Sequence, residues 1–346
     1  MAPAEPTEAP SAEPAAAWAS ACERLRELGA RLAAAGPTAD DPDLLDRFEH
    51  LVDQLSLFFS WEVLHDDPRR PSFHRHNDLA SQWGGPNADN VYRHARIDPA
   101  LRYVVRGRMH SCDQFLAAIR AGFMHRPTWG TLAQVSASDL GLGPGSDIEL
   151  HLGGDHPDAV EIPDGATMLS IREYYVDWTP EEPALFTIEC LDDDGIVDRR
   201  TPDPAELAAR IRRSVDQIED SLSYWDDYLR DHRARRTDNS FAEDTVAPAK
   251  GLAVARYEFC FWDLEPDQAL VVTCDEPDAD YWSAQLYSLG EFEPLDLYGS
   301  ITSRNHAQSE VSADGRVRFV LSADDPGVPN WLDTTGRAEG LCTLRW

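Results

Sequence analysis

Lysine is almost absent from this chain, and acidic residues outnumber basic ones two to one. Its 346 residues include 62 Asp and Glu against 31 Lys and Arg, which gives a formal net charge of −31. Nucleic acids and anionic membranes attract proteins through basic patches, so neither is an expected partner. Schiff-base chemistry would depend on the one lysine, Lys250, which lies in a Pro/Ala/Gly stretch typical of a linker.

Long apolar runs are also missing. No stretch approaches the roughly 20 consecutive apolar residues of a membrane helix. The opening residues are rich in Ala, Pro and Glu, and they lack both the basic start and the apolar middle of a secretory signal. We therefore expect a disordered N-terminal tail and a cytoplasmic protein.

Motifs for metals and common cofactors do not occur. The six cysteines show no C-x-x-C spacing and mostly lie in apolar runs, which predicts reduced core residues. The histidines of His74–His76 lie in a polar stretch with prolines, which is typical of a loop. No Walker A loop, strand-linked G-x-G-x-x-G or G-x-S-x-G elbow is present. We expect no metal and no cofactor.

Periodicity divides the remaining sequence into helical and strand regions. Apolar spacings of three and four predict N-terminal helices, one of them from about residue 42 to 64, and a long helix after residue 204. Alternation with period two between turn signals predicts two antiparallel β blocks. The predicted segments are a disordered tail (1–16), a helical segment (17–82), a first β block (83–203), the long helix with a linker (204–250) and a C-terminal β block (251–346).

Two motifs resemble a family of uncharacterised proteins. NADNVYRHARID resembles the family's Asn-x-Asp-x-x-Tyr opening strand, and SADGRVRFVLSADDPGVPNWLDTTGRAEGLCTLRW resembles its C-terminal signature. The family is known as domain of unknown function 1214 and is often paired with domain of unknown function 1254. The resemblance covers residues 281–346 best, 83–108 and 168–178 less well, and does not include the N-terminal helices.

The resemblance implies an architecture and no activity. It implies a mainly β protein with helical additions, made of β-sandwich or jelly-roll-like blocks. It supplies no catalytic residues to transfer. The loop before the N-W-L motif, residues 324–329, is shorter here than is usual in the family, which would alter a pocket rim formed there.

A predicted strand carries a candidate acid–base set. Tyr92, His94 and Arg96 alternate onto one face, and Asn87 and Asp89 precede them in a turn. A neutral histidine beside a tyrosine and carboxylates is suited to proton transfer. The structural alternative is a solvated or partly covered strand face.

A second predicted strand, in SIREYYVDW, offers an arginine and a buried carboxylate. Arg172 and Tyr174 share one face, and Glu173 and Asp177 share the other with apolar neighbours. A carboxylate that faces an apolar interior needs a partner, so we favour an arginine-paired carboxylate in the core. The alternative is an acid with a raised pKa that is poised for catalysis.

The segment before the last strand has two interpretations. As a pocket rim, Trp331 would stack on a ligand and Asn330 would orient one of its polar groups. As a structural seam, Trp331 would cover the end of a sandwich while Asn330 bonds a turn. We favour the structural interpretation, and Asp333 is compatible with either.

These patterns lead to two functional hypotheses. The first is a cofactor-independent lyase, hydratase or hydrolase for a small, partly apolar molecule, in which tyrosine and histidine move protons and arginine holds an oxyanion. The second is a non-catalytic ligand-binding or assembly module, with a homo-oligomer left open. An enzyme should bring Tyr92, His94 and Arg172 into one concave pocket. The residues assigned to catalysis are Tyr92, His94, Arg172 and Tyr174, and those assigned to ligand binding are Asn87, Asn330, Trp331 and Asp333.

Overall fold

The computed structural model describes residues 12–35, 42–77, 81–179, 182–192, 203–242 and 254–346. Lys250 and most of the predicted N-terminal tail lie outside these residues. Helix α1 begins at Ala12, so the predicted tail is wrong from residue 12 onward. The alanine-rich start of α1 favours helix, and Ala17 and Ala21 are buried against the long helix.

Three helices occur in the described part of the chain, and they pack together. They are α1 (Ala12–Ala35), α2 (Pro42–Phe59), which continues as a π-helical turn (Ser60–Leu64), and α3 (Pro204–Arg233). Ile218 and Trp225 of α3 lie on its buried stripe, as the apolar spacing predicts. Arg24 of α1 reaches Asp216 and Glu219 of α3, both at 2.8 Å.

The first β block contains two facing sheets. Its strands are β1 (His74–Asn77), β2 (Asn90–Arg96), β3 (Tyr103–Arg108), β4 (Gln114–Arg120), β5 (Thr131–Ser136), β6 (Asp147–Leu152), β7 (Met168–Tyr174) and β8 (Leu185–Cys190). The five-stranded sheet has the order β1-β2-β7-β4-β5, and the three-stranded sheet has the order β6-β3-β8. All of these strands pair antiparallel.

A buried carboxylate in the core of this block forms an ion pair with an arginine. Val105, Phe115 and Ile171 belong to the apolar cluster between the two sheets. Glu173 is fully buried, pairs with Arg93 and accepts a hydrogen bond of 2.6 Å from the Tyr175 hydroxyl. The predicted arginine-paired core carboxylate is therefore confirmed.

The second β block also has two sheets. Its strands are β9 (Tyr257–Asp263), β10 (Leu270–Asp275), β11 (Ser283–Tyr287), β12 (Ser303–Asn305), β13 (Arg316–Ser322), β14 (Trp331–Asp333) and β15 (Glu339–Arg345). The sheet orders are β12-β11-β15-β9 and β10-β13-β14, and β13 and β14 run parallel. Cys260, Phe319 and Cys342 belong to the core between them. The mainly β fold with an N-terminal helical segment and one long internal helix is thus confirmed.

The four-stranded sheet presents its other face to the first block. Residues of β9 and β15 alternate, so Phe259 and Leu341 point away from the second block's own core and pack with α2 and α3 residues. Tyr287 donates a hydrogen bond of 2.7 Å to the Pro86 carbonyl, across the boundary between the blocks. The candidate site lies at this boundary.

Candidate functional site

A cavity of about 100 Å³ lies between the two β blocks. The five-stranded sheet supplies one wall, the four-stranded sheet another, and α3 with two loops supplies the rest. The antiparallel register of β2 and β7 places Tyr92 opposite Arg172 and His94 opposite Ser170. The principal lining side chains are Tyr92, His94, Arg120, Ser170, Arg172, Trp225, Tyr257, Phe259, Phe292 and Arg345. Tyr92, His94 and Arg172 therefore share one concave cavity.

Tyr92 is oriented by the turn that precedes its strand. The Asn87 backbone N–H donates a hydrogen bond of 3.0 Å to the Tyr92 hydroxyl oxygen. The Arg172 guanidinium carbon lies 5.2 Å from the centroid of the Tyr92 ring. The hydroxyl oxygen accepts this hydrogen bond, so the hydroxyl proton is available for donation to a bound molecule.

His94 is a neutral base in the floor of the cavity. Its side chain stacks on the His76 ring with centroids 4.5 Å apart, and both of its ring nitrogens lack a partner among the described residues. Burial, reinforced by the nearby positive charge of Arg120, lowers the pKa of His94 well below its ordinary value. The imidazole is therefore uncharged near neutral pH and can accept a proton or a hydrogen bond.

Three arginines converge on the cavity without a carboxylate. No Asp or Glu is among the described lining residues, and Arg120, Arg172 and Arg345 form no ion pair with a described carboxylate. Arg345 donates hydrogen bonds to the Gly85 carbonyl at 2.6 Å and the Tyr287 hydroxyl at 2.5 Å.

Arg120 has the least favourable surroundings of the three. Its side chain is buried, and its Nε has no partner among the described residues. Burial, together with repulsion from Arg172, lowers the pKa of Arg120 to about 10. The cavity wall therefore carries a net positive charge in an otherwise acidic protein.

The aromatic rings on one side of the cavity pack directly against two glycines. Gly84 and Gly85 have φ of +69° and +62°, a region that other residues avoid. A Cβ on Gly84 would come within 2.5 Å of the Trp225 ring, and one on Gly85 would overlap Phe292. The Gly85 N–H donates to the Phe292 carbonyl at 2.8 Å, which fixes the loop that carries this ring.

Most residues of the cavity walls formed by β4, the four-stranded sheet and α3 carry little signal in the sequence. Arg120 lies in the apolar run QFLAAIRAGF, and a single arginine among apolar residues is the one feature that could have indicated a buried functional residue there. Arg345 is the residue before the last in the motif GLCTLRW, and the apolar spacing of the long helix predicts only a core position for Trp225. The predicted loop at His74–His76 is wrong, because these residues belong to β1 and His74 pairs with His94.

Two predicted site residues lie beside the cavity and do not line it. Tyr174 shares a face of β7 with Arg172, but its ring contacts Tyr281 with centroids 5.7 Å apart. Burial raises the pKa of Tyr174 to about 12. The Asn87 side chain accepts hydrogen bonds from the Tyr281 hydroxyl at 2.9 Å and the Gln285 amide at 2.5 Å, so it joins the two blocks.

The three predicted residues near the chain end have structural partners instead of a ligand site. The Asn330 side chain exchanges two hydrogen bonds of 2.8 Å with the Glu310 backbone. The Trp331 indole N–H donates to the Ser322 carbonyl at 3.1 Å, and the Asp333 carboxylate accepts from the Thr335 N–H at 2.7 Å. Neither Asn330 nor Trp331 nor Asp333 lines the cavity, and these contacts support the seam interpretation.

Two further predictions concern metals and membranes. Among the described residues, no group of three or more His, Cys, Asp or Glu side chains is arranged to hold a metal ion. No helix within the described ranges has the length and apolar character needed to cross a membrane.

Comparison with known proteins identifies structural relatives. A scan against protein-family models gives no match, and a search of curated proteins gives none either. An uncharacterized protein from Burkholderia cenocepacia has a solved structure that is 25% identical, with a TM-score of 0.84 over 95% of this chain and 92% of that chain. A protein from Vibrio parahaemolyticus is 14% identical, with a TM-score of 0.50 over 86% of this chain and 92% of that one.

Proposed function

We propose that the cavity between the β blocks is the active site of a cofactor-independent lyase, hydratase or hydrolase for a small, partly apolar molecule. The observation that carries this proposal is the convergence of Tyr92, His94 and Arg172 in one cavity. Arg172 comes from a strand about 80 residues beyond the other two, so sequence proximity alone does not explain the grouping.

The side chains divide the chemistry between them. Neutral His94 would take a proton from the bound molecule, because its free ring nitrogens are acceptors in one tautomer or the other. The Tyr92 hydroxyl, held by the Asn87 N–H, would donate a proton. Arg172 would stabilise negative charge that develops on an oxygen, in a site shielded from water.

A ligand-binding protein without chemistry is the second candidate. The observation that favours it is that no described carboxylate accepts a hydrogen bond from His94. General-base histidines usually have a partner that fixes their tautomer. Membership of the domain of unknown function 1214 family, supported by the motifs in β2 and in β13–β15, is likewise a proposal. The cytoplasmic location and the homo-oligomer remain predictions.

A metabolite screen separates the two candidates. Purified protein is screened by thermal shift, and each stabilising compound is then incubated with catalytic amounts of protein and followed by mass spectrometry. We expect at least one hit to be converted, and Tyr92→Phe to lower kcat by about 10²–10⁴-fold with Kd nearly unchanged. Tyr298→Phe, at an exposed position, is the matched control.

Two outcomes would contradict the enzymatic proposal. Hits that bind in the cavity and are never converted would support the binding protein. Conversion that is unaffected by Tyr92→Phe and by His94→Phe would place the chemistry elsewhere.

A further inference from the structure

The chemical class of the ligand is the inference that the cavity carries furthest. Two half-buried arginines of the first block have carboxylate partners: Arg96 reaches Glu62 at 3.0 Å, and Arg93 pairs with Glu173. Arg120, Arg172 and Arg345 have no carboxylate partner among the described residues, although acidic residues outnumber basic ones two to one. The cavity therefore groups three arginines in one place without a described carboxylate among them.

No described lining residue carries a negative charge that would balance these arginines. Burial keeps the pKa of the Tyr287 hydroxyl above its ordinary value, so that hydroxyl is a neutral partner for Arg345. His94 is neutral as well. A buried cation without an anionic partner costs free energy, and two neighbouring cations add repulsion. A bound anion would relieve both costs.

The rest of the cavity describes the other half of the ligand. Trp83, Trp225, Phe259 and Phe292 form an aromatic wall, which suits a planar apolar group. The cavity volume of about 100 Å³ holds roughly seven to ten water-sized groups at ~10–15 Å³ each. A ring with a single carboxylate is of this size.

We propose that the ligand is a small aromatic carboxylate, with its carboxylate bound by Arg120 and Arg172 and its ring against Trp225 and Phe292. A guanidinium group presents paired N–H donors that match the two oxygens of a carboxylate. The proposal rests on the proposed function, because it names the substrate class of the same cavity.

Calorimetry with matched ligands tests the proposal. Benzoate, phenylacetate and cinnamate are each titrated into the protein beside the corresponding neutral primary amide. We expect at least one carboxylate to bind at one molecule per chain, and its amide to bind at least about tenfold more weakly, since the amide loses the charge-assisted hydrogen bonds. Inorganic phosphate should not replace the carboxylate at equal concentration.

Variants of one cavity arginine distinguish a binding role from a structural one. Arg120→Met should weaken carboxylate binding at least about tenfold, while the Tm of the ligand-free protein stays equal to or above that of the wild type, because an unpaired buried cation is removed. A structural arginine would instead lower that Tm. Arg212→Gln, which removes an exposed arginine of α3, should leave Kd and Tm unchanged.

Two results would overturn the proposal: no carboxylate binds at millimolar concentration, or the amides bind as well as the acids. A lower Tm of ligand-free Arg120→Met would overturn the part of the proposal that assigns carboxylate binding to Arg120. If Arg120→Met does not fold, Arg172→Lys and the comparison of acids with amides still decide. Carboxylate binding without any conversion would leave this proposal intact and defeat the enzymatic one. Conversion of a neutral compound that depends on Tyr92 would do the reverse.

Discussion

Asn330 holds a backbone conformation and a pair of hydrogen bonds at once. Its φ is +58°, and its amide exchanges hydrogen bonds with the Glu310 backbone. Asn330→Ala should lower the free energy of unfolding by about 2–4 kcal/mol, because it adds left-handed strain to the loss of both bonds. Urea unfolding of purified protein measures the change.

Asn330→Gly is the matched control for this prediction. Glycine adopts positive φ freely, so this variant should lose the hydrogen bonds alone and be less destabilised than Asn330→Ala. Wild-type stability in both variants would contradict the seam interpretation of the chain end.

The histidine stack below the cavity makes a prediction about acid. His76 is buried between His94 and Phe123, its ring nitrogens have no described partner, and it faces His74, His125 and Arg120 as well. Burial, then the nearby positive charges, lowers its pKa well below 6.5. The unfolded chain therefore binds a proton at His76 at a higher pH than the folded protein does.

The sign of the effect follows from linkage. His76 costs no stability above pH 6.5, and the cost grows as the pH falls from there toward its lowered folded pKa. His76→Phe should therefore gain stability relative to wild type by up to about 1.4 kcal/mol per pH unit below 6.5. The comparison cancels the opposite contributions of Asp53 and Glu291, whose pKa values burial raises to about 6 and about 7.

Unfolding titrations between pH 7 and 5 test this prediction. A constant difference between wild type and His76→Phe would show that His76 is protonated in the folded state as readily as in the unfolded state.

The sequence predicts a site residue where polar and apolar residues alternate along a strand, because the alternation assigns each side chain to one face. Tyr92 and His94 alternate in NVYRHAR, and Arg172 does so in SIREY, so their faces could be assigned from sequence. Asn330 and Trp331 could not be decided, because a turn amide that bonds backbone and one that bonds a ligand look the same in sequence. The surroundings of Arg120 could not be predicted either, because they are formed by strands that are distant in the sequence.

At the level of elements, the loop with Gly84 and Gly85 closes the aromatic wall. Gly84→Ala should cost about 1–2 kcal/mol of backbone strain and a further ~1–3 kcal/mol from overlap with Trp225. Gly315→Ala is the matched control, since Gly315 has a φ of +77° and no atom near its missing Cβ. Chemical unfolding of both variants measures the difference.

The result also bears on ligand binding. If the wall shapes the cavity, Gly84→Ala should weaken ligand binding, and Gly315→Ala should not. Equal unfolding free energies for the two alanine variants would show that Trp225 moves aside without cost.

Elements with clear periodicity were predictable, and elements covered on both faces were not. The stripe of α3 identified that helix from sequence. The strand β4 was missed because all but the first of its seven residues are buried, so QFLAAIR shows no alternation. One of its faces meets the core of the first block and the other carries Arg120 into the cavity.

At the scale of the whole molecule, a buried polar network joins the two β blocks. The Asp89 carboxylate accepts hydrogen bonds from the Tyr281 hydroxyl at 2.6 Å, from the Trp178 indole at 3.0 Å and from the Asn305 amide at 3.1 Å. Two of these partners are about 200 residues away in sequence. No local pattern could have predicted that the faces of β2 and β9 enclose one cavity.

The central claim is that this enclosed space, lined by Tyr92, His94 and the three arginines, is where a ligand binds. A crystal structure grown with the tightest-binding aromatic carboxylate tests it most directly. We predict difference density in the cavity, with the carboxylate within hydrogen-bond distance of Arg120 or Arg172 and the ring beside Trp225. Density for the carboxylate only at another place on the protein, with the cavity holding water, would contradict the claim.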